Sequence, residues 1–375
     1  MKARLTVGLI ILLCLAVAFF WFFPGPRFRL MAFVSQERFH ENRPTSYWLR
    51  LVFEGADAER EHAATVLGEI GKDTPEAVSH LMKALEDPDY IVRKNAARGL
   101  GIIGPPARES VSGLCALLKD DASQQVRQEA AMALGMIHAR PEESVPALLR
   151  AFKDSDEWAR MRAISAVGRF GPEAASALPT LAPLLEQPAG QRTNAAVTAL
   201  GAMQLIGEPA KPYLLKALNN KVSRSLAVEG LGNMAARDAI PEIMKLLKDS
   251  DASVRVAAAR SLWKLDPSQA ATVVPVLIEG VKDQKRWAIR GRAIFVLGEI
   301  GPAAKESVPA LREALKDKYE DIRALAAISL GNMGATAKPA VPELRAALKD
   351  EDGGVREKAA KALEKIDKAT PALLQ

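Results

Sequence analysis

Short blocks of apolar residues spaced three and four apart run along most of this chain, and the blocks come in pairs joined by polar turns. The stretch from Glu143 to Gly171 shows the unit. Val145, Leu148, Leu149 and Phe152 form one stripe, Ser155 and Asp156 make the turn, and Ala159, Ala163, Ile164 and Val167 form the next stripe. That spacing predicts two amphipathic helices back to back. Aligning the string Ala-x-x-x-Leu-Gly places anchor alanines at Ala63, Ala96, Ala130, Ala163, Ala196, Ala227, Ala258, Ala293, Ala326 and Ala359, with gaps of 31 to 35 residues. A period of that length is one helical hairpin with its turns, so the pattern predicts about ten stacked hairpins.

Five residues past the anchor stands Gly68, Gly101, Gly135, Gly168, Gly201, Gly232, Gly298 or Gly331, replaced only by Trp263 and Glu364. Glycine is costly inside a helix, so its recurrence on one face implies that a neighbouring helix comes close. Glu364 is what a solvated terminal repeat would carry. Gly71, Gly104, Gly171, Gly301 and Gly334 stand where a left-handed C-cap would end the helix. Pro146, Pro179, Pro212, Pro241, Pro275, Pro309 and Pro342 fall near the start of the first helix of their repeats, where a missing N–H costs least. Repeat one is expected to open on a Thr45-Ser46 cap, with Tyr47, Trp48, Leu51 and Phe53 in its first helix.

With these features the chain resembles the HEAT repeats, specifically the short-unit class similar to phycobilisome-lyase-like repeats, over roughly residues 44 to 370. The resemblance implies an all-α fold, a right-handed α-α superhelix of about ten hairpins. It also implies that an Asp ending each first helix and an Arg opening each second helix form a ladder along the stack. The matching arginines are Arg60, Arg93, Arg127, Arg160, Arg224, Arg255, Arg290, Arg323 and Arg356, and the matching acids are Asp87, Asp121, Asp154, Asp249, Asp317 and Asp350, with Glu54 in the first unit. Repeat five departs, with Thr193 in the arginine position beside Arg192, so the ladder is expected to break there. A pair that recurs in nearly every unit reads as architecture, because a catalytic site would occur once.

Composition changes this picture mainly at the N-terminus. Leu5 to Phe23 is nineteen residues without a charge, set between Lys2 and Arg4 and the break Pro24-Gly25-Pro26-Arg27. As a helix it would span roughly 28 Å, close to a bilayer's hydrocarbon thickness. A single transmembrane helix is therefore expected. The rival is a cleaved signal peptide ending at Ala16-Val17-Ala18, which would leave Phe19-Phe20-Trp21-Phe22-Phe23 as an exposed apolar terminus better suited to an interfacial belt. The expected layout is an anchor at 1–27, a linker at 28–43 and the solenoid at 44–375, with single-pass membrane localisation and the solenoid on the extracytoplasmic side.

The formal charge of +6 is concentrated in residues 1–43, whose six basic and two acidic residues give +4 and leave the other 332 residues at +2. A body so neutral lacks the footprint of a nucleic-acid binder. Two cysteines, Cys14 in the apolar run and Cys115 in a repeat, rule out a disulfide framework.

Two enzyme types resemble this repeat. The deoxyhypusine-hydroxylase type carries His-Glu pairs on several second helices to hold two irons. This chain has four histidines: His62 follows Glu61 instead of preceding a Glu, His40-Glu41 lies before the solenoid, and His80 and His138 are alone in their units. No metal site is expected. The bilin-lyase type shares only the repeat, and Cys115 sits in a Leu-rich helix as a small core residue would. The expectation is a scaffold that binds a protein partner, without cofactor or catalysis of its own. The alternative is an enzyme or enzyme subunit related to those families.

In solenoids of this family the second helices line the concave face, and positions two before, two after and six after each anchor should project from them. The apolar residues at those positions cluster as Ile102, Met132, Met136 and Met161 in repeats two to four and as Phe295 and Ile328 in repeats eight and nine. Methionine and isoleucine in adjacent units would make an adaptable contact surface, or, if the helices are rotated, ordinary core. A further candidate is the lengthened turn before repeat eight, where Lys282, Lys285, Arg286, Arg290 and Arg292 crowd around Trp287. Basic residues about a tryptophan can grip an acidic peptide, a lipid headgroup or a nucleic acid, or form a solvated turn.

Overall fold

The computed structural model describes residues 37–186 and 194–369, which are helical apart from a two-residue antiparallel pairing of Phe39–His40 with Arg43–Pro44. They fall into two compact units that divide between Thr180 and Leu181. The first unit holds repeats one to four as helix pairs: Thr45–Glu54 with Asp57–Ile70, Pro75–Ala84 with Tyr90–Ile103, Val111–Asp120 with Gln124–Ile137, and Pro141–Ala151 with Glu157–Arg169. In the second unit, Asn194–Ile206 closes repeat five. Repeats six to ten follow as Lys211–Ala217 with Arg224–Asn233, Ile240–Lys245 with Ala252–Leu265, Ala270–Val281 with Trp287–Ile300, Val308–Ala314 with Glu320–Asn332, and Val341–Ala347 with Gly353–Ala369.

The ten anchor alanines lie at the centre of this packing, none more than 1% exposed. A methyl side chain there lets the two helices of a hairpin approach while still excluding water. The glycine column does the same between repeats. A Cβ on Gly68 would stand 2.5 Å from the Cα of Gly99, and one on Gly135 would stand 2.8 Å from the Cβ of Ala166. Gly68, Gly101, Gly135, Gly232, Gly298 and Gly331 each meet a residue three past the next anchor, and that residue is also small: Gly99, Ala133, Ala166, Ser261, Ser329 or Ala362. The serines turn the contact into a hydrogen bond, Ser261 Oγ donating to the Val228 carbonyl at 3.0 Å and Ser329 Oγ to the Ile294 carbonyl at 2.8 Å.

Two local expectations need correction. Thr45 and Ser46 do not cap their helix with their own side chains. Instead Glu37 accepts from the Ser46 backbone N–H at 3.2 Å and from its hydroxyl at 2.7 Å, while Thr45 Oγ1 donates to the Arg38 carbonyl. Gly71 is not a left-handed cap either. Its φ is −65°, and a Cβ there would meet Ile103 Cδ1 at 2.3 Å, so close packing is what demands glycine.

The ladder is present and its direction is defined: an arginine reaches forward to the aspartate of the following repeat. Arg60 pairs with Asp87, Arg93 with Asp121, Arg127 with Asp154, Arg224 with Asp249, Arg290 with Asp317 and Arg323 with Asp350. In Arg93, Arg127, Arg290 and Arg323 the same guanidinium also donates to the backbone carbonyl of an aspartate in its own repeat's turn, as Arg127 Nη1 does to Asp121 at 2.9 Å. Each carboxylate in turn accepts the backbone N–H two residues on, as Asp154 does from Asp156 at 2.8 Å. The ladder therefore ties the turn of one repeat to the turn of the next through charge-assisted bonds. Arg192 and Thr193, where the break was expected, lie outside the described residues.

The single-pass membrane localisation expected from the sequence is overturned: among the described residues no helix is long and apolar enough to cross a membrane. The segment that carried that expectation, Leu5 to Phe23, lies with the rest of residues 1–36 outside the described residues.

Candidate functional site

Packing decides which columns of the second helices face solvent. Positions two and six past the anchor stay open in most repeats, whereas the position two before it sinks into the core at Ser225, Val256 and Gly291. In the first unit Ile102, Met132, Met136 and Met161 are all half-buried. They lie on three adjacent second helices that touch. Met136 Sδ stands 3.5 Å from where a Gly101 Cβ would be, beside Ile102, and Arg169 Cδ stands 3.1 Å from the Cβ position of Gly135, beside Met136. Arg162 Nη1 lies 2.7 Å from the Met132 sulfur. Repeats two to four thus share one face of thioethers and aliphatic carbon interleaved with guanidinium groups.

Sequence reasoning named the apolar half of this face and missed the polar half. Glu129 and Arg162 sit one residue before their anchors, a column that the sequence reading did not consider. Each keeps a buried polar atom, Glu129 Oε2 and Arg162 Nε, without a hydrogen-bond partner. The signal was available: the same column carries His62, Asn95 and Arg292, too polar for a core position.

In the second unit Phe295 is 47% exposed and Ile328 37%. Their helices run side by side, with Gly291 against Leu325 and Gly298 against Ser329, which places the two residues on the same outer face. The guanidinium of Arg260 stands 6.0 Å from the Phe295 ring. Trp287 does not join them. It opens its helix two turns earlier, 51% exposed, with its ring 6.1 Å from that of Tyr319.

The basic turn around Trp287 is largely neutralised. Arg286 bridges Asp251 and Asp283, Arg290 is buried in the ladder with Asp317, and Arg292 reaches two repeats back to Glu229. Lys282 and Lys285 remain exposed. The cleft behind this turn, about 420 Å³ between the first helices of repeats eight and nine, is lined by Ile278, Val281, Pro309 and Ala310. Its inner polar groups, Arg290 and Asp317, are spent on each other.

No group of three or more His, Cys, Asp or Glu among the described residues is placed to hold a metal ion. His62 and His40 instead face Glu41 at 2.8 Å and Glu69 at 3.5 Å, clamping the 39–44 turn onto repeat one. Burial pushes the Cys115 thiol up to about 12, with Glu143 adding to the effect, so the thiolate a nucleophile needs is scarce. Iodoacetamide at pH 8 is expected to modify the Cys115-containing peptide only after denaturant is added. Rapid labelling of the native protein, read by mass spectrometry, would show instead that this thiol is activated.

A family model described as HEAT repeats matches residues 50–134, 111–201, 211–286 and 274–339. Among solved structures, the chain is similar to Kap95p, crystallised in work on its binding to RanGDP, at 14% identity and a TM-score of 0.62, covering 87% of this chain and 52% of that one. A Kap121p mutant gives 13% identity and a TM-score of 0.57 over 90% of this chain and 44% of its own. The present chain therefore spans about half the length of these two proteins. The CpcE and CpcF complex of phycocyanin lyase from Nostoc sp. PCC7120 aligns at 24% identity over 79% of this chain and 94% of that one, with a TM-score of 0.31 that carries the comparison no further. No curated protein sequence matches the chain.

Proposed function

Because the chain belongs to the HEAT-repeat family, we propose that it is a scaffold that holds a protein partner on the open face of its second helices and performs no catalysis of its own. The observation that carries this reading is the face shared by repeats two to four, where Ile102, Met132, Met136 and Met161 stay half-buried on helices that already touch. Thioether and aliphatic groups left at a water boundary in adjacent units gain from being covered, and methionine adapts to whatever covers it. Phe295 and Ile328 supply a second contact in the other unit, and Trp287 a separate aromatic contact at its turn. Kap95p, which shares the fold at low identity, binds RanGDP, so this architecture does hold protein partners.

The test is affinity capture with the full chain against the Met132→Glu/Met136→Glu variant. Capture of a reproducible protein partner by the wild type is expected to be lost in the variant, with the thermal midpoint within about 4 °C of wild type. The introduced carboxylates would meet Arg162 and Arg169 instead of bare core. A collapsed midpoint would show that these methionines are core. Capture retained at unchanged stability would move the contact to Phe295 and Ile328. A chromophore or small molecule that co-purifies and is turned over would favour the alternative, an enzyme or enzyme subunit of lyase or hydroxylase type.

A further inference from the structure

The face of repeats two to four carries cations that make no ion pair among the described residues. In the ladder every one of Arg60, Arg93 and Arg127 is spent on a carboxylate. On the second helices of repeats two to four, Lys94, Arg98, Arg162 and Arg169 have no ion-pair partner among the described residues, and Arg98 and Arg169 are exposed. Those three helices hold two acids, Glu157 at a helix start and Glu129. A side chain with five N–H donors resting one of them on a thioether, a weak acceptor, keeps most of its hydrogen-bonding capacity in reserve.

Glu129 Oε2 and Arg162 Nε are buried and unbonded at the same register of adjacent repeats. Both atoms are closed to solvent, as are the unbonded atoms of Arg224, Arg260, Arg312 and Glu343, so a ligand meets this face through the exposed guanidinium groups of Arg98 and Arg169 and the half-buried apolar side chains between them. An acidic peptide with apolar side chains matches both. Its carboxylates suit the guanidinium groups, and apolar side chains between the acids would cover Ile102, Met132 and Met136.

Resting on the scaffold reading above, we propose that the face built by Arg98, Met132, Met136, Arg162 and Arg169 binds an acidic peptide segment with aliphatic side chains set between its carboxylates. A single-stranded nucleic acid is the poorer match. Non-specific strand binding relies on aromatic rings for the bases to stack on, and the aromatics of these helices, Tyr90 and Trp158, stand at the helix starts, before the anchors that Met132 and Met136 follow.

The full-length protein would be titrated with labelled synthetic peptides, one alternating Glu and Leu, one with Gln in place of Glu, and with oligothymidine of matched charge. The Glu-Leu peptide is expected to bind about tenfold or more tightly than the Gln peptide, since hydrogen bonds to charged groups are the strong ones. Arg162→Gln, and separately Arg98→Gln at an exposed position that carries no folding risk, should each weaken it by a similar factor, with the helical circular dichroism unchanged. Equal binding of the Glu and Gln peptides, or tighter binding of oligothymidine that Arg162→Gln abolishes, would overturn the proposal. If no peptide binds while the methionine variant still loses its captured protein, the acidic chemistry falls and the scaffold reading stands. If that variant also keeps its partner, the acidic-peptide proposal falls and the scaffold's contact moves to Phe295 and Ile328.

Discussion

Replacing Arg127 by alanine is expected to destabilise the repeat stack by about 3 to 5 kcal/mol, because it strands the Asp154 carboxylate in the turn between repeats. The side chain of Asp154 is only 8% exposed, and Arg127 supplies two of its hydrogen bonds, at 2.7 and 2.8 Å. A solvated pair provides the contrast: Lys119 and Asp120 are 62% and 67% exposed, and Lys119→Ala should leave the urea midpoint unchanged. Arg127→Lys should not rescue the loss, since an ammonium cannot make the forked contact. A midpoint for Arg127→Ala within error of wild type would mean that the ladder is ornament.

The same pair sets the response to acid. The Arg127 hydrogen bonds, outweighing burial, hold the Asp154 carboxyl below the usual carboxylate range, and Arg323 does the same for Asp350. A carboxyl depressed in the folded state contributes stability that is complete above its unfolded value, near pH 4, and is lost as pH falls through the folded value. Thermal midpoints should therefore be flat down to about pH 5 and fall steeply below about pH 4, and the fall should be shallower in Arg127→Ala.

The second large effect separates two glycines that the sequence makes look alike. Gly68→Ala is expected to cost about 1 to 3 kcal/mol, since the new methyl would stand 2.5 Å from the Gly99 backbone and the two helices would have to part. Gly201→Ala, at the equivalent position of repeat five, meets nothing within 4 Å and should stabilise by about 0.5 to 1 kcal/mol through the ordinary helix preference for alanine. Opposite shifts in the urea midpoint would confirm that contact, and not helix propensity, holds the glycine column. Loss of stability in both variants would defeat that explanation.

Much of the candidate face was legible in the sequence because two and six residues past a buried anchor fall on its outer side in any α-helix. Of the cations that give the face its chemistry, Arg98 and Arg169 stand at those same positions, and Arg162 does not. Arg162 lies one residue before its anchor, where rotation of the helix against its neighbour decides between core and surface, and Glu129 shares that ambiguity. The basic turn around Trp287 misled for a related reason: Arg286 and Arg292 find carboxylates 35 and 63 residues away, separations that no local pattern reveals, whereas Arg290 takes the Asp317 that the ladder assigns it.

The sequence by itself determined the hairpin, its period, the buried alanine in each unit and the two residue types of the ladder. These follow from the 3.6-residue turn and from removing apolar side chains from water, and both act within one repeat. Only the tertiary structure decided the register between repeats. A glycine five past one anchor meets a small residue three past the next, and each ladder arginine reaches forward to the following aspartate. That offset depends on how two surfaces fit when pressed together, and it fixes which of the remaining side chains are sealed in and which are left to meet a partner.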